Sequence, residues 1–136
     1  MVSIGKNKNG YLYFLKVCYN QIERIGGYFM IKKENLPECP VATTVQLVGS
    51  KWKLLILRDL LTGTKRYNEL KKSLPDISQK VLTSSLKSMV EDGIVVRTAY
   101  AEVPPRVEYS LSELGESMRP VINAMADWGT FYKQHI

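Results

Sequence analysis

The chain of 136 residues is long enough for one globular domain and too short for two of ordinary size. Hydrophobic residues make up 45% of it and charged residues 24%, values close to the globular average that exclude a wholly disordered chain. The net charge of +6 favours an anionic partner such as nucleic acid or a membrane surface.

Residues 1–36 are expected to be an N-terminal extension, because they lack a sustained hydrophobic period. The apolar run at 11–15 is too short for a signal peptide, and no stretch of the chain is long and apolar enough to predict a membrane span. Codons for Gly26-Gly27 can contain a ribosome-binding sequence at the right distance before a start codon. We therefore expect translation to begin at Met30, with a genuine N-terminal arm as the alternative, and one domain over residues 37–136.

Three short helices are predicted next, each bounded by proline or glycine. Their ranges are 41–48, 52–61 and 68–74. Pro40 suits the first turn of the first helix, and Gly49 suits its end. Helical spacing places Val41, Val45 and Val48 on one face of that helix.

The fourth predicted helix, residues 78–92, has the clearest boundary signals. Ser78 can cap it, Ile77 and Leu82 stand at the positions of a hydrophobic staple, and Gly93 can end it. The face opposite its apolar stripe contains no large apolar residue. That face is either ordinary solvated surface or a surface that reads DNA, and its residues are Lys80, Thr83, Ser84 and Lys87.

After Gly93 the hydrophobic period changes to two, which predicts strands at 94–100 and 107–111. Val103-Pro104-Pro105-Arg106 would form the tip of the hairpin between them. Four helices, a hairpin and a closing helix are the plan of a winged helix-turn-helix domain, with the fourth helix entering the major groove. The predicted fold class is therefore mainly α with a small β-hairpin.

The closing helix follows Ser112, a candidate cap, and Pro120 should kink or break it near Glu116. Its apolar residues follow a heptad-like spacing, typical of a seam between two helices. They are Leu114, Met118, Val121, Met125, Trp128 and Tyr132. An intramolecular core is the usual explanation for such a stripe. We favour a homodimer interface that also includes Val41 and Val45 of the first helix, because symmetric dimers match palindromic operators.

Several short motifs, taken in their order along the chain, resemble the HxlR-type transcriptional regulators. They are Cys39-Pro40-Val41, Gly49-Ser50-Lys51-Trp52, Arg66-Tyr67-Asn68-Glu69-Leu70, Ile77-Ser78-Gln79-Lys80-Val81-Leu82-Thr83, Val103-Pro104-Pro105-Arg106-Val107-Glu108-Tyr109 and Trp128-Gly129. The resemblance covers about residues 37–134. It implies a cytoplasmic homodimer that binds double-stranded DNA and is related to the MarR-type regulators.

The charge distribution supports a DNA-facing middle segment. Lys and Arg outnumber Asp and Glu by five in residues 51–106, but are outnumbered by two in residues 107–136. Gln79 and Lys80 can bond adenine and guanine edges, whereas the other basic side chains suit phosphate contacts. The candidate DNA-binding residues are Lys51, Lys53, Lys65, Arg66, Ser78, Gln79, Lys80, Thr83, Ser84, Lys87, Arg97 and Arg106.

Cys39 is a candidate redox-sensing residue, since a helix dipole favours a thiolate at the helix N-terminus. The resemblance implies the same role, because some HxlR-type regulators sense electrophiles or oxidants through a cysteine in this context. Glu38 opposes thiolate formation, and Cys18 is no resolving partner if translation begins at Met30. A small apolar side chain that only packs is the alternative for Cys39.

Catalysis is not expected from this sequence. His135 is the single histidine, and no phosphate-binding glycine loop occurs, so neither a histidine-centred triad, a usual zinc site nor a cofactor is predicted. Two other functions stay open. One is a winged helix that binds a protein rather than DNA. The other is a regulator that senses a small aromatic inducer in a pocket lined by Trp52, Tyr67 and Trp128.

Overall fold

The computed structural model describes residues 4–6, 12–14 and 36–136. Two short strands in the N-terminal extension, β1 (Ile4–Lys6) and β2 (Leu12–Phe14), pair antiparallel. The expected start at Met30 and the second cysteine, Cys18, lie outside the described residues.

The domain from residue 36 onward is mainly helical with a small sheet, which confirms the predicted fold class. The helices are α1 (Pro40–Val48), α2 (Lys51–Leu60), α3 (Tyr67–Ser73), α4 (Gln79–Glu91), α5 (Glu113–Glu116) and α6 (Arg119–Gln134). The strands are β3 (Lys65–Arg66), β4 (Val95–Tyr100) and β5 (Arg106–Leu111). No helix within 36–136 is both long and apolar enough to cross a membrane.

Serine hydroxyls begin three of the helices by accepting hydrogen bonds from first-turn amides. Ser78 accepts from the Val81 amide at 3.2 Å, and Ser112 accepts from the Gly115 amide at 3.1 Å, as the sequence predicts. Ser50 does the same for α2. Helix α4 ends before Gly93, whose φ of 73° lies in the left-handed region that favours glycine.

The predicted break in the closing helix is also confirmed. Helix α5 ends at Glu116, and α6 begins at Arg119 with Pro120 in its first turn. Because proline has no amide proton, it fits a helix start but cannot continue an existing helix.

The sheet has three antiparallel strands in the order β3-β5-β4. Strands β4 and β5 form the predicted hairpin, with Val95 opposite Leu111 and Tyr100 opposite Arg106. The sequence did not predict β3, because two residues are too few for a periodic signal. Lys65 and Arg97 both lie opposite Tyr109 and therefore share one face of the sheet.

One buried core lies under α2, α3, α4 and the start of the hairpin. Its residues are Val48, Ile56, Leu57, Leu60, Leu70, Leu74, Ile77, Leu82, Leu86, Met89, Ile94 and Val95. Ile77 and Leu82, the predicted staple, are both fully buried, so the N-terminal end of α4 is fixed against the rest of the domain.

Two apolar stripes differ from the pattern that the sequence predicts. In α1, Val48 is buried whereas Val41 and Val45 are 71% and 61% exposed, so the three valines do not share one environment. In the closing segment, Leu114 and Met118 pack against the core of their own chain. The non-helical residues between α5 and α6 interrupt the heptad spacing and separate these two from the stripe on α6.

Candidate nucleic-acid interface

Helices α3 and α4 and the turn between them form a helix-turn-helix unit held by side-chain contacts. The Lys71 ammonium donates to the carbonyl oxygens of Pro75, at 3.1 Å, and of Ile77, at 2.6 Å. The Ser73 hydroxyl donates to the Asp59 carboxylate, which ties α3 to α2. These contacts hold the turn against α3 and hold α3 against α2.

One face of α4 is exposed along most of its length, and its residues are polar or charged. The opposite face is buried through Leu82, Leu86 and Met89. Before the exposed Glu91 at its end, the exposed residues are Gln79, Lys80, Thr83, Ser84 and Lys87, all of them candidates named from the sequence. Lys87 also lies 3.9 Å from Glu91, one turn farther along α4. This polar set is hereafter the α4 face.

Tyr67, the first residue of α3, supports the α4 face from the side. Its ring packs against the core, and its hydroxyl lies 3.2 Å from the Gln79 carbonyl oxygen and 3.2 Å from Thr83 Oγ1. From the sequence, Tyr67 is a candidate only for the ligand pocket that stays open as an alternative function. No spacing rule links residues 67 and 83, because the contact crosses from one helix to the next.

Arg106, a predicted phosphate contact, already has partners within the hairpin. Its guanidinium stacks on Tyr100, with Cζ 4.0 Å from the ring centroid. It also pairs with Glu102 at 3.1 Å and with Glu108 at 3.6 Å. The side chain is 29% exposed and its charge is compensated within the hairpin, whereas Arg97 on β4 is exposed.

Lys53, a second predicted phosphate contact, makes hydrogen bonds and an ion pair within the domain. Its ammonium donates to Ser88 Oγ at 2.8 Å and to the Leu47 carbonyl at 3.1 Å, and it lies 3.7 Å from Asp92. Burial raises the pKa of the Asp92 carboxyl, and the Lys53 charge opposes that shift. Lys53 therefore anchors the C-terminal half of α4.

The remaining basic candidates lie at or near the surface. Arg66 and Lys51 are exposed, and Lys65 is half-buried. The Lys51 ammonium lies 4.4 Å above the Trp52 ring. The structure thus places Lys65 and Arg66 on β3, which contacts α3 and pairs with β5, and it leaves Lys51 on α2.

Helix α6 has an apolar surface that no other described residue covers. Val121, Met125, Trp128 and Tyr132 are 38–66% exposed, and the rings of Trp128 and Tyr132 stack at 5.4 Å. A groove of about 570 Å³ runs along it, lined by Pro120, Val121, Ala124, Met125 and Trp128. Of the three aromatic residues expected to line a ligand pocket, this groove contains Trp128 but neither Trp52 nor Tyr67.

Cys39 is the N-cap residue of α1, and its thiol is free and exposed. The thiol makes no capping hydrogen bond, whereas the Cys39 carbonyl accepts from the Thr43 amide at 3.0 Å. Within the part of the chain that the structure describes, no three His, Cys, Asp or Glu residues cluster to hold a metal ion.

Sequence comparison identifies the family to which this architecture belongs. A model of HxlR-like helix-turn-helix domains matches residues 47–136. An uncharacterized HTH-type transcriptional regulator of Bacillus subtilis (strain 168), YdeP, is 48% identical over 98 residues, which cover 72% of this chain and 77% of YdeP.

Solved structures with the same fold include regulators described by their redox state. The oxidized form of the redox regulator HypR superposes with a TM-score of 0.65 at 42% identity, covering 68% of this chain and 95% of HypR. Diamide-treated YodB from B. subtilis superposes with a TM-score of 0.59 at 35% identity, covering 69% of this chain and 94% of YodB.

Proposed function

Because this chain belongs to the HxlR-like helix-turn-helix family, we propose that it regulates transcription by binding DNA sequence-specifically as a homodimer on palindromic operators. One observation carries the proposal. The α4 face is exposed, polar and basic along its length, while the opposite side of the helix is locked into the core.

The chemistry of the α4 face suits the major groove. Gln79 can bond the edge of adenine, Lys80 can bond the O6 and N7 atoms of guanine, and the hydroxyls of Thr83 and Ser84 can bond either bases or phosphates. A recognition helix contacts bases with its N-terminal residues. Ser78 stands at this end, where its hydroxyl already caps α4.

We assign the phosphate contacts to basic residues outside α4. Lys65 and Arg97 flank Tyr109 on one face of the sheet, and Arg66 is exposed at the start of α3. Such contacts set the register of the protein on the duplex without reading its sequence. Arg106 is better suited to shaping the hairpin, because two carboxylates already neutralise it.

Self-association is supported by two sets of exposed apolar residues. The α6 surface and the pair Val41 and Val45 on α1 are solvent-exposed in the single chain. Burying apolar area is the main favourable term in protein association, and two-fold dimers pair identical patches. A two-fold dimer would hold two α4 faces about one DNA turn apart, roughly 34–36 Å, or a multiple of that.

A response to thiol chemistry is the finer part of the proposal. Cys39 is exposed at the start of α1, the helix that carries Val41 and Val45. Redox chemistry at Cys39 would therefore act next to the proposed dimer interface. The similarity to HypR and YodB, solved in an oxidized and a diamide-treated form, supports this assignment.

The experiment that tests DNA binding is selection of duplexes from a random library, followed by affinity measurements at several salt concentrations. A sequence-specific regulator enriches an inverted repeat and loses affinity steeply as salt rises. Lys80→Ala should weaken binding to the selected operator more than to bulk duplex. Lys133→Ala, an exposed lysine near the end of α6, is the matched control and should leave the ratio unchanged.

Two other functions would give different results. A winged helix used for protein interaction would enrich no duplex at any salt concentration. A regulator that senses small aromatic molecules is favoured only by the open groove beside Trp128. Such a ligand would quench Trp128 fluorescence and lower the affinity for the selected operator.

A further inference from the structure

The hydroxyl of Tyr67 makes two contacts with α4 that differ in chemical kind. One partner, the Gln79 carbonyl oxygen at 3.2 Å, can only accept a hydrogen bond. The other partner, Thr83 Oγ1 at 3.2 Å, can donate or accept. Tyrosine has one hydroxyl proton, so the two contacts cannot both receive it.

A single arrangement of protons uses both contacts. Tyr67 donates to the Gln79 carbonyl, and Thr83 donates to the Tyr67 oxygen. In the reverse arrangement, Tyr67 donates to Thr83 and the Gln79 contact has no proton, so one hydrogen bond is lost. The favoured arrangement commits the Thr83 proton to Tyr67 and leaves the Thr83 oxygen as an acceptor on the α4 face.

We propose that Tyr67 is a specificity-determining residue, which acts by making Thr83 a hydrogen-bond acceptor toward DNA. The inference rests on the proposed function of the α4 face. In the major groove, the N6 amino group of adenine and the N4 amino group of cytosine are donors, whereas guanine and thymine present only acceptors to a hydroxyl. Thr83 therefore prefers adenine or cytosine at the base that it contacts.

Ser84 provides an internal comparison on the same surface. Its hydroxyl donates to the Val81 carbonyl at 3.1 Å, within α4 itself, so its proton does not depend on Tyr67. Removing the Tyr67 hydroxyl should alter the base preference set by Thr83 and leave that of Ser84 unchanged.

The test compares selected operators for the wild type, Tyr67→Phe, Thr83→Val and the double variant. At one position in each half-site, the wild type should prefer adenine or cytosine by about threefold to tenfold, the size of one hydrogen bond. Tyr67→Phe frees the Thr83 proton, so guanine and thymine should be accepted there equally well. Thr83→Val should lose the preference, and Tyr67→Phe should then add no further change.

Tyr109→Phe is the matched control, since Tyr109 is also half-buried and its hydroxyl has no hydrogen bond among the described residues. It should keep every preference of the wild type. The inference would be overturned if Tyr67→Phe left the base preferences unchanged. It would also be overturned if Tyr67→Phe weakened the base preferences at many positions and did so in the Thr83→Val background as well. Either result would leave DNA binding intact. A wild type that selects no operator would overturn the proposed function itself, and the inference with it.

Discussion

The ammonium group of Lys53 donates a 2.8 Å hydrogen bond to the hydroxyl of Ser88, and this bond joins α2 to the C-terminal half of α4. The same ammonium reaches the Leu47 carbonyl and lies near the Asp92 carboxylate, so three elements meet at one charge. The side chain is only 16% exposed. In the single chain, the Lys53 ammonium therefore holds α4 in place.

Replacing Lys53 with Met should destabilise the fold. The change removes two hydrogen bonds and leaves the half-buried Asp92 without its counter-charge, so we expect a loss of about 1–3 kcal/mol in the free energy of unfolding. Urea denaturation measures it. Lys51→Met, two residues away and exposed, should change stability by less than about 0.5 kcal/mol. Unchanged stability together with a weaker salt dependence of DNA binding would make Lys53 a phosphate contact after all.

The Asp92 carboxyl should make stability depend on pH in an unusual direction. Burial raises its pKa in the folded state, so the unfolded chain loses this proton first as pH rises. The contribution of Asp92 to stability is present below roughly pH 4, its ordinary range, and is lost as pH rises through the folded pKa. Relative to Asp92→Asn, the wild type should therefore become less stable between pH 3 and pH 7. A difference that moves the other way would mean that pairing with Lys53 outweighs burial.

The two arginines Arg66 and Arg106 should differ in their effect on DNA binding. Arg66 is exposed and free to reach a phosphate, so Arg66→Gln should lower the slope of log affinity against log salt by about 0.9. Arg106 is already neutralised by Glu102 and Glu108, so Arg106→Gln should leave the slope unchanged. Equal flattening by both substitutions would show that Arg106 leaves its carboxylate partners when DNA binds.

The sequence predicted those features that depend on near neighbours in the chain. The Ser78 cap, the staple of Ile77 with Leu82, the break before Pro120 and the hairpin all follow from local geometry, and the structure contains them. It could not predict which charged or polar groups meet across elements. The partners of Lys53 lie up to 39 residues away along the chain. A lysine in a sequence is ordinarily expected at the surface, and composition does not reveal such distant partners.

The apolar spacing of the closing segment illustrates the limit of a periodic pattern. The heptad rule treats Leu114 to Tyr132 as one stripe, but the break between α5 and α6 directs Leu114 and Met118 toward their own core. The remaining stripe begins only where α6 begins. Periodicity identifies apolar positions, whereas the helix boundaries decide which partner each position meets.

A charge placed in the α6 stripe should prevent the homodimer. Met125 is 47% exposed in the single chain, so Met125→Asp should still fold, yet in a dimer it would bury an unpaired carboxylate. We expect a monomer by light scattering and weaker operator binding. Asn123→Asp, exposed on the other side of α6, should remain dimeric. A Met125→Asp protein with the mass of a dimer would contradict an interface on this stripe.

Cys39 should couple thiol chemistry to DNA release. Its exposed thiol begins α1, and Val41 and Val45 on the same helix are expected to contact the partner chain, so a modification there changes the spacing of the two α4 faces. A displacement of a few ångströms prevents both half-sites from being bound at once, and the gain from two linked contacts is lost.

Diamide withdraws two electrons and two protons from a thiol pair, whereas a quinone alkylates a single thiol. Either reagent should lower operator affinity in the wild type. Cys39→Ser should keep its affinity with both reagents, because serine has no comparable nucleophile. If the wild type is insensitive, or the serine variant responds equally, Cys39 has no sensing role.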